Sequence, residues 1–362
     1  MKAYPCSHSM PKWLIPCLIL CLQPWISAAE PLRWLSFKGQ PGPGNGKKIV
    51  LISGDEEYRS EESCPMLAKL LSQRHGFDCT VLFSTDPEEG YIDPNNQQSL
   101  TGLEALETAD LMIIGTRFRQ LNEGQYQHLA NYLNRGLPVM GFRTATHAFR
   151  GSGSTGDFKW SAFGLKILGE TWINHHGRHK AQGTRSVVQA EHASHPVLRG
   201  VGSIFAPSDV YGIRNLDPAE ATILLRGGVT RSLEEFSPFV EGEKNDPMMP
   251  LAWLRAYESP NKQAKGKAFC TTLGASVDML DADLRRLMIN AAYHLTGLEV
   301  PERAEVAFVD DFSPTFYGFN NDEGYYPKRQ LMIKDFELGS SASTGLARPE
   351  SVPSQWRPTS PF

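Results

Sequence analysis

Short apolar runs alternate with amphipathic helical segments through the first half of the chain, and this alternation restricts the folds that it can adopt. Residues 48–53 form an apolar run whose length suits a strand buried on both faces. The next segment predicts a helix with Pro65 in its first turn and Gly76 at its C-terminal cap. A second helix is predicted to begin at Asn122. Further strands are predicted at residues 80–83, 111–114 and 139–142. This alternation is typical of a mostly parallel sheet that is covered by helices.

The second half of the chain has a weaker pattern but contains more strand candidates. They are residues 186–188, 222–225, 251–254 and 268–271. A final helix is predicted between Asp281 as its N-cap and Gly297 as its C-terminal stop, because apolar residues recur along one of its sides. We therefore expect one α/β domain over residues 47–301, with helices on both faces of its sheet.

The N-terminal residues have the composition of an export signal. Residues 13–22 are mostly apolar, follow two lysines and precede small residues at 27–29, which predicts a cleavable signal peptide over residues 1–29. A retained transmembrane helix is the alternative, although the run is shorter than the roughly 20 residues that span a bilayer. We therefore expect a secreted or periplasmic protein with no stable membrane span after cleavage.

The remaining segments and the overall charge limit the possible partners. Residues 30–46 predict a leader, residues 302–335 an aromatic strap across the domain, and residues 336–362 a mobile tail. Three cysteines remain after signal cleavage, and their spacing matches neither a disulfide framework nor a metal site. The net charge of −4, with both signs intermixed, offers no extended positive field for phosphate backbones. We expect no nucleic-acid partner, and the sequence does not indicate an oligomeric state.

Polar residues follow three of the predicted strands, at the edge where parallel α/β sheets bind ligands. Residues 53–62, 115–120 and 142–149 are therefore expected to surround one crevice. His147 lies just past a central strand, and an imidazole there can act as an acid or base near neutral pH. Arg143 would be costly to bury alone, so it meets either a polar ligand or a carboxylate of the first crevice segment. Those carboxylates belong to Glu56, Glu57 and Glu61.

Five histidines lie within residues 175–195, and together with His147 they are candidates for one polar site. They are His175, His176, His179, His192 and His195. His175 and His179 would share one face of a helix, but Gly177 interrupts the segment and no standard zinc pattern is present. A divalent metal held among His147, His175, His176 and His179 is one interpretation. A solvated loop with one or two functional histidines is the other.

Several motifs occur in order along the chain, including ISGDEEYRSEESCPMLAKLL, GFRTATHAF, SDVYGI and LRRLMINAAYHLTGLEVP. Together they resemble the ThuA-like (trehalose utilisation) domain over about residues 47–301. The resemblance implies a flavodoxin-like, doubly wound sheet of the class I glutamine amidotransferase-like superfamily, and a role in carbohydrate metabolism. It also implies that His147 is the family's characteristic histidine. The superfamily motif Gly-x-Cys-x-Gly corresponds to residues 141–145, where Arg143 replaces the cysteine. A guanidinium forms no thioester, so glutaminase activity is excluded by that route.

The leading hypothesis is an exported protein that binds or converts a carbohydrate, such as a keto-sugar or keto-glycoside. His147 would act as acid or base and Arg143 as electrostatic stabiliser, which suits elimination, hydrolysis or isomerisation. The residues expected to bind the substrate are Glu57, Tyr58, Arg59, His176, His179, Asp209 and Tyr211. A noncatalytic sugar-binding domain and a metal-dependent hydrolase using residues 175–195 are the alternatives. The sequence requires no cofactor and is compatible with a divalent metal.

Overall fold

The computed structural model of the protein describes residues 1–4 and 32–340. The chain divides after Pro31, and the fold reported below belongs to the unit that begins at Leu32. Of the unit before it, residues 1–4 are described, so the predicted signal peptide lies almost entirely outside the described residues. Of the predicted tail, residues 341–362 lie outside them as well. Among the described helices, none has the length and apolar composition needed to cross a membrane.

The described residues contain twelve strands, ten of which form one sheet. In chain order they are β1 Leu35–Phe37, β2 Lys48–Gly54, β3 Asp78–Leu82, β4 Leu111–Thr116, β5 Val139–Phe142, β6 Ser154–Thr155, β7 Phe158–Lys159, β8 Thr184–Val188, β9 Phe205–Ala206, β10 Ala221–Val229, β11 Met249–Glu258 and β12 Lys265–Thr271. Strands β6 and β7 form a separate hairpin, and the order across the large sheet is β1-β3-β2-β4-β5-β12-β11-β10-β8-β9. The eight strands predicted from the sequence are all present, with boundaries shifted by a few residues.

The sheet is mixed. Strands β3, β2, β4, β5 and β12 pair in parallel in its centre, whereas β1 and the series β11, β10, β8 and β9 pair antiparallel. The predicted α/β class is confirmed, but a mostly parallel, doubly wound, flavodoxin-like sheet is not. The reason lies in the connections of the second half, where residues 259–264 alone join β11 to β12. A connection this short makes a hairpin, since parallel neighbours need a crossover of about a dozen residues or more.

Four α-helices accompany the sheet in the described residues: α1 Ser60–Gln73, α2 Glu123–Asn134, α3 Ala282–Leu295 and α4 Tyr325–Arg329. The predicted N-cap Asp281 is confirmed, and Asn122, the predicted start of the second helix, is the N-cap of α2. Each side chain accepts hydrogen bonds from the first turn of its helix. The expectation that Pro65 lies in a first turn is wrong, since α1 begins at Ser60. The early start places two acidic residues, Glu61 and Glu62, at the N-terminus of α1.

Helices cover both faces of the sheet, as predicted. Along β2, Ile49 and Leu51 belong to the apolar core on one face, and Val50 and Ile52 to the core on the other. This separation follows from the period of two along a strand. The first core is closed by α1 and α3, and the second by α2, the 3₁₀ turn Leu103–Thr108 and the π-helical turn Gly164–Leu168. The parallel strand ends therefore emerge between two covered faces.

The segments predicted as leader and strap both contact the domain. Leu35 and Phe37 in β1 are buried, and β1 pairs with the edge strand β3. In the strap, Phe316 and Tyr317 are buried against the loop that follows β2. Phe336, the first residue of the predicted tail, ends the 3₁₀ turn Ile333–Phe336 and packs into the core beside α1.

Candidate functional site

The carboxyl ends of four parallel strands meet at one edge of the sheet. Asp55 follows β2, and the backbone N–H of Arg117, after β4, donates to the carbonyl of Gly54 at 2.9 Å. Arg143 follows β5, and its backbone N–H donates to the carbonyl of Leu273, just past β12, at 3.1 Å. Asp55 joins two of these loops, because one of its oxygens accepts a 2.6 Å hydrogen bond from Thr144. These loops form the base of what we call the strand-end site.

Arg143 stands at a strained turn. Its φ of 47° lies in the left-handed region, between β5 and the 3₁₀ turn Arg143–His147. Such a conformation costs a non-glycine residue about 1–3 kcal/mol and persists only where the surroundings enforce it. A strand leading into a strained residue and then a helical turn is the geometry that presents nucleophiles in other α/β enzymes. Here it presents a guanidinium, which is not a nucleophile.

The guanidinium of Arg143 is enclosed and 1% exposed. Its Nη1 donates to the backbone carbonyls of Asp209 and Thr272, each at 2.8 Å, and its Nη2 lies 3.3 Å from Oδ1 of Asp209. The ring centroids of Tyr58 and Tyr211 lie 4.2 and 4.0 Å from its central carbon. The carboxylate partner is therefore Asp209, and not Glu56, Glu57 or Glu61 as expected. The sequence could not show this, because Asp209 comes from a loop far along the chain.

Asp209 joins the buried arginine to two histidines nearer the surface. Its Oδ2 lies 2.7 Å from Nδ1 of His175, and its Oδ1 lies 3.1 Å from Nδ1 of His179. Burial by itself raises the pKa of Asp209, but the hydrogen bonds to both imidazoles and the charge of Arg143 outweigh burial and hold that pKa well below its usual range. The carboxylate is thus charged and completely buried, with 30% and 26% of the two histidine side chains exposed above it.

Glu57 holds His179 from the opposite side. Its Oε1 lies 3.2 Å from Nε2 of His179, and its Oε2 lies 3.4 Å from Nε of Arg117. Burial favours a raised pKa for Glu57, but the hydrogen bond to His179 and the charge of Arg117 prevail and lower it. The His179 ring is therefore fixed between two carboxylates, one on each nitrogen. Because of these two hydrogen bonds the pKa of His179 is raised, although burial opposes the rise.

His147 lies beside this cluster in an aromatic wall. Its ring centroid is 4.9 Å from Phe118, 5.0 Å from Trp172 and 6.2 Å from Tyr211, and the residue is 7% exposed. Burial, together with the nearby cationic side chains of Arg117 and Arg143, lowers the pKa of His147 well below its ordinary value. The imidazole is therefore neutral at neutral pH.

Two predicted substrate-binding residues point away from the cluster. Nε2 of His176 lies 2.7 Å from the carbonyl of Lys244. His175 pairs with Tyr211 in an isolated bridge, and adjacent residues of extended chain alternate in direction, so His176 turns outward. Arg59 is buried, and its guanidinium donates to the carbonyls of Glu56 and Gly318. Its contacts are therefore structural.

Residues outside the predicted set complete the site. Arg117 lies under the exposed ring of Phe319, with 4.8 Å from its central carbon to the ring centroid. Tyr317 stacks on Tyr58 with 5.0 Å between centroids, and the backbone N–H of Gly318 donates to the carbonyl of Glu57 at 2.8 Å. The aromatic run at residues 316–319 was the available sequence signal, although it indicated a strap and not a site.

The protein is thus a mixed α/β protein whose strand-end site has an arginine at the strained turn. The chain belongs to the ThuA family, since the family model described as "Trehalose utilisation" matches residues 48–294. Among solved structures, it is similar to a ThuA-like protein from Parabacteroides merdae ATCC 43184, with 16% identity and a TM-score of 0.46 over 70% of this chain and 92% of that one. It is also similar to one from Bacteroides uniformis ATCC 8492, with 14% identity and a TM-score of 0.43 over 71% and 93%. The comparison with curated proteins gives no match.

Proposed function

We propose that the protein is an exported carbohydrate-active enzyme that acts on a keto-sugar or keto-glycoside at the strand-end site. Membership of a family described by trehalose utilisation supports a sugar substrate. One observation supports catalysis: two partly exposed imidazoles, of His175 and His179, are anchored on the buried carboxylate of Asp209 beside the neutral imidazole of His147. Buried charge that orients titratable groups at strand ends is typical of catalytic sites.

The proposed chemistry is removal of a proton next to a keto carbon. It requires a base and a group that polarises the carbonyl oxygen. His147 is neutral because its pKa is low, so its ring can accept a proton. His175 is partly exposed and its Nδ1 faces Asp209, so its other ring nitrogen can polarise the sugar oxygen, whereas His179 is held by carboxylates on both of its nitrogens. In an elimination, His147 takes the proton, the C–H electron pair forms a C=C bond, and the C–O electron pair departs with the glycosidic oxygen, which takes up that proton and leaves as an alcohol.

Arg143 takes a different role from the one expected. The sequence favoured direct stabilisation of the substrate, but a side chain that is 1% exposed and fully surrounded does not reach a ligand. We assign it as a positioning residue that holds Asp209, and through it both histidines. Tyr58 and Tyr211 enclose its guanidinium on both sides, so they support the same arrangement.

The test is conversion of a 3-keto-disaccharide by the full chain, followed by proton NMR, with the unoxidised disaccharide as a second substrate. We expect the keto compound to be consumed and the parent sugar to persist. His147→Gln is expected to lower the rate by about 10²–10⁴-fold, the usual contribution of a general base. His192→Ala is the matched control, since that residue lies in the 3₁₀ turn Ala190–His192 outside the site.

Binding without conversion would contradict the enzyme proposal. In that case the wild-type chain would shift the NMR signals of the keto-disaccharide but leave its concentration constant, which is the behaviour of a noncatalytic sugar-binding domain. His147→Gln would then change affinity alone.

A further inference from the structure

Three side chains of the strand-end site have the composition and spacing of metal ligands. One ligand atom each from His175, His179 and Asp209 lies within 4.8 Å of the others. Nδ1 of His175 lies 2.7 Å from Oδ2 of Asp209, and Nδ1 of His179 lies 3.1 Å from its Oδ1. Ligand atoms about 2.0–2.1 Å from a tetrahedral zinc ion lie roughly 3.3 Å apart. Small rotations of two partly exposed rings would therefore complete a zinc-sized set of ligands.

A second and independent feature supports this assignment. Histidines that bind metals almost always donate their other ring N–H to a carboxylate or carbonyl, which fixes the tautomer. Nε2 of His179 lies 3.2 Å from Oε1 of Glu57, so Nδ1 is the nitrogen directed to Asp209. Glu57 is in turn held by Arg117 at 3.4 Å. The site thus contains the outer carboxylate as well as the three ligands.

We propose that His175, His179 and Asp209 bind one divalent transition metal ion, with zinc as the best match. Two histidines and one carboxylate leave a fourth position for water or substrate, as in catalytic zinc sites. That position faces solvent, because the two histidine side chains are 30% and 26% exposed. His147 and His176, which were also candidates, are not ligands, since one lies in the aromatic wall and the other faces Lys244.

The positive charge of Arg143 disfavours a metal cation at this site. Its Nη2 lies 3.3 Å from Oδ1 of Asp209, but its shorter bonds, at 2.8 Å, go to two backbone carbonyls. The other carboxylate oxygen, Oδ2, faces His175, and Glu57 adds a second negative charge within the site. Arg117 pairs with Glu57 at 3.4 Å, so Asp209 offsets the charge of Arg143 and Glu57 that of Arg117.

A bound metal would polarise the sugar carbonyl in place of the imidazole of His175. This role depends on the proposed function, whereas metal binding itself is measured without any sugar. The two proposals therefore fail separately.

The test is zinc binding by the full chain, purified without an affinity tag, treated with a chelator and titrated with Zn²⁺ in a calorimeter. We expect one zinc per chain, confirmed by elemental analysis after gel filtration. His175→Ala and His179→Ala are expected to weaken binding by at least about 100-fold, and Glu57→Gln by about 10–100-fold. His176→Ala is the matched control, and its zinc affinity should equal that of the wild type.

Glu57→Gln separates a metal site from a merely structural cluster, because it keeps all three ligands. Circular dichroism checks that each variant is folded. The metal proposal is overturned if the wild type takes up no stoichiometric zinc, or if the double variant His175→Ala/His179→Ala retains it. Sugar conversion by zinc-free chain would overturn the proposed role of the metal and leave the proposed function intact. Zinc binding without sugar conversion would support the metal site and overturn the proposed function.

Discussion

Replacing Asp209 with a neutral residue tests whether its negative charge stabilises the strand-end site. In Asp209→Asn the side chain keeps its shape but loses the negative charge that faces Arg143, His175 and His179. Removing one partner of a buried ion pair costs about 3–5 kcal/mol, because the remaining charge stays in a poorly solvated place. Arg143 retains two carbonyl acceptors and two aromatic faces, which supports the lower end of that range. We therefore expect the free energy of unfolding to fall by about 3 kcal/mol.

The assay is urea unfolding of the wild type, Asp209→Asn, Arg143→Met and the double variant at one pH. If the two residues act as a pair, the double variant loses less stability than the sum of the single variants, by about 1–3 kcal/mol. Asp157→Asn is the control, since that exposed carboxylate should contribute within about 0.5 kcal/mol. A loss below about 1 kcal/mol for Asp209→Asn, with additive single variants, would show that Asp209 and Arg143 do not stabilise the fold as a pair.

Three further predictions concern groups away from the cluster. Glu61 is buried and its carboxylate oxygens have no hydrogen-bond partner among the described residues, so burial raises its pKa from 4.5 to about 8. Its protonated form stabilises the fold below pH 4.5, and this contribution is lost as pH rises towards about 8, at about 1.4 kcal/mol per pH unit. Glu61→Gln should remove that slope in urea unfolding at a series of pH values; an unchanged slope would contradict the assignment. Gly115→Ala places a Cβ 2.1 Å from the ring of Phe142 and should lower the free energy of unfolding by about 1–3 kcal/mol in the same assay. No measurable loss would show that the ring moves aside freely. Asn122→Ala removes the cap of α2 and should cost about 1 kcal/mol, whereas a neutral change would show that the cap is dispensable.

The elements of the fold were largely accessible from the sequence because their signals are local. The apolar run at residues 48–53 and the caps Asn122 and Asp281 each specify structure within a few neighbouring residues. Strand pairing in the second half was not accessible, since the direction of β10 beside β8 and β11 depends on partners distant in sequence. The connection between β11 and β12 is short only with their full lengths, since the strands predicted at residues 251–254 and 268–271 leave residues 255–267 between them, enough for a crossover.

From the sequence, we could predict which types of side chain follow the strands, but not how these side chains pair. Arg143 was correctly placed at the end of β5, but its partner Asp209 belongs to a loop whose position depends on tertiary packing. His175 and His176 are equivalent by composition, and only the bridge to Tyr211 decides which ring turns inward. Direction and burial of side chains, and not their identity, separate the residues of the cluster from those outside it.

Exchange of carbon-bound protons for deuterium tests the central proposal most directly. In deuterated buffer, a base beside a polarised carbonyl exchanges the protons next to the keto carbon even where no bond to the leaving group breaks. Our expectation is that the wild-type chain and His192→Ala accelerate this exchange in a 3-keto-disaccharide, and that His147→Gln slows it by about 10²-fold or more. Exchange no faster than in buffer alone, or equally fast with His147→Gln, would contradict it.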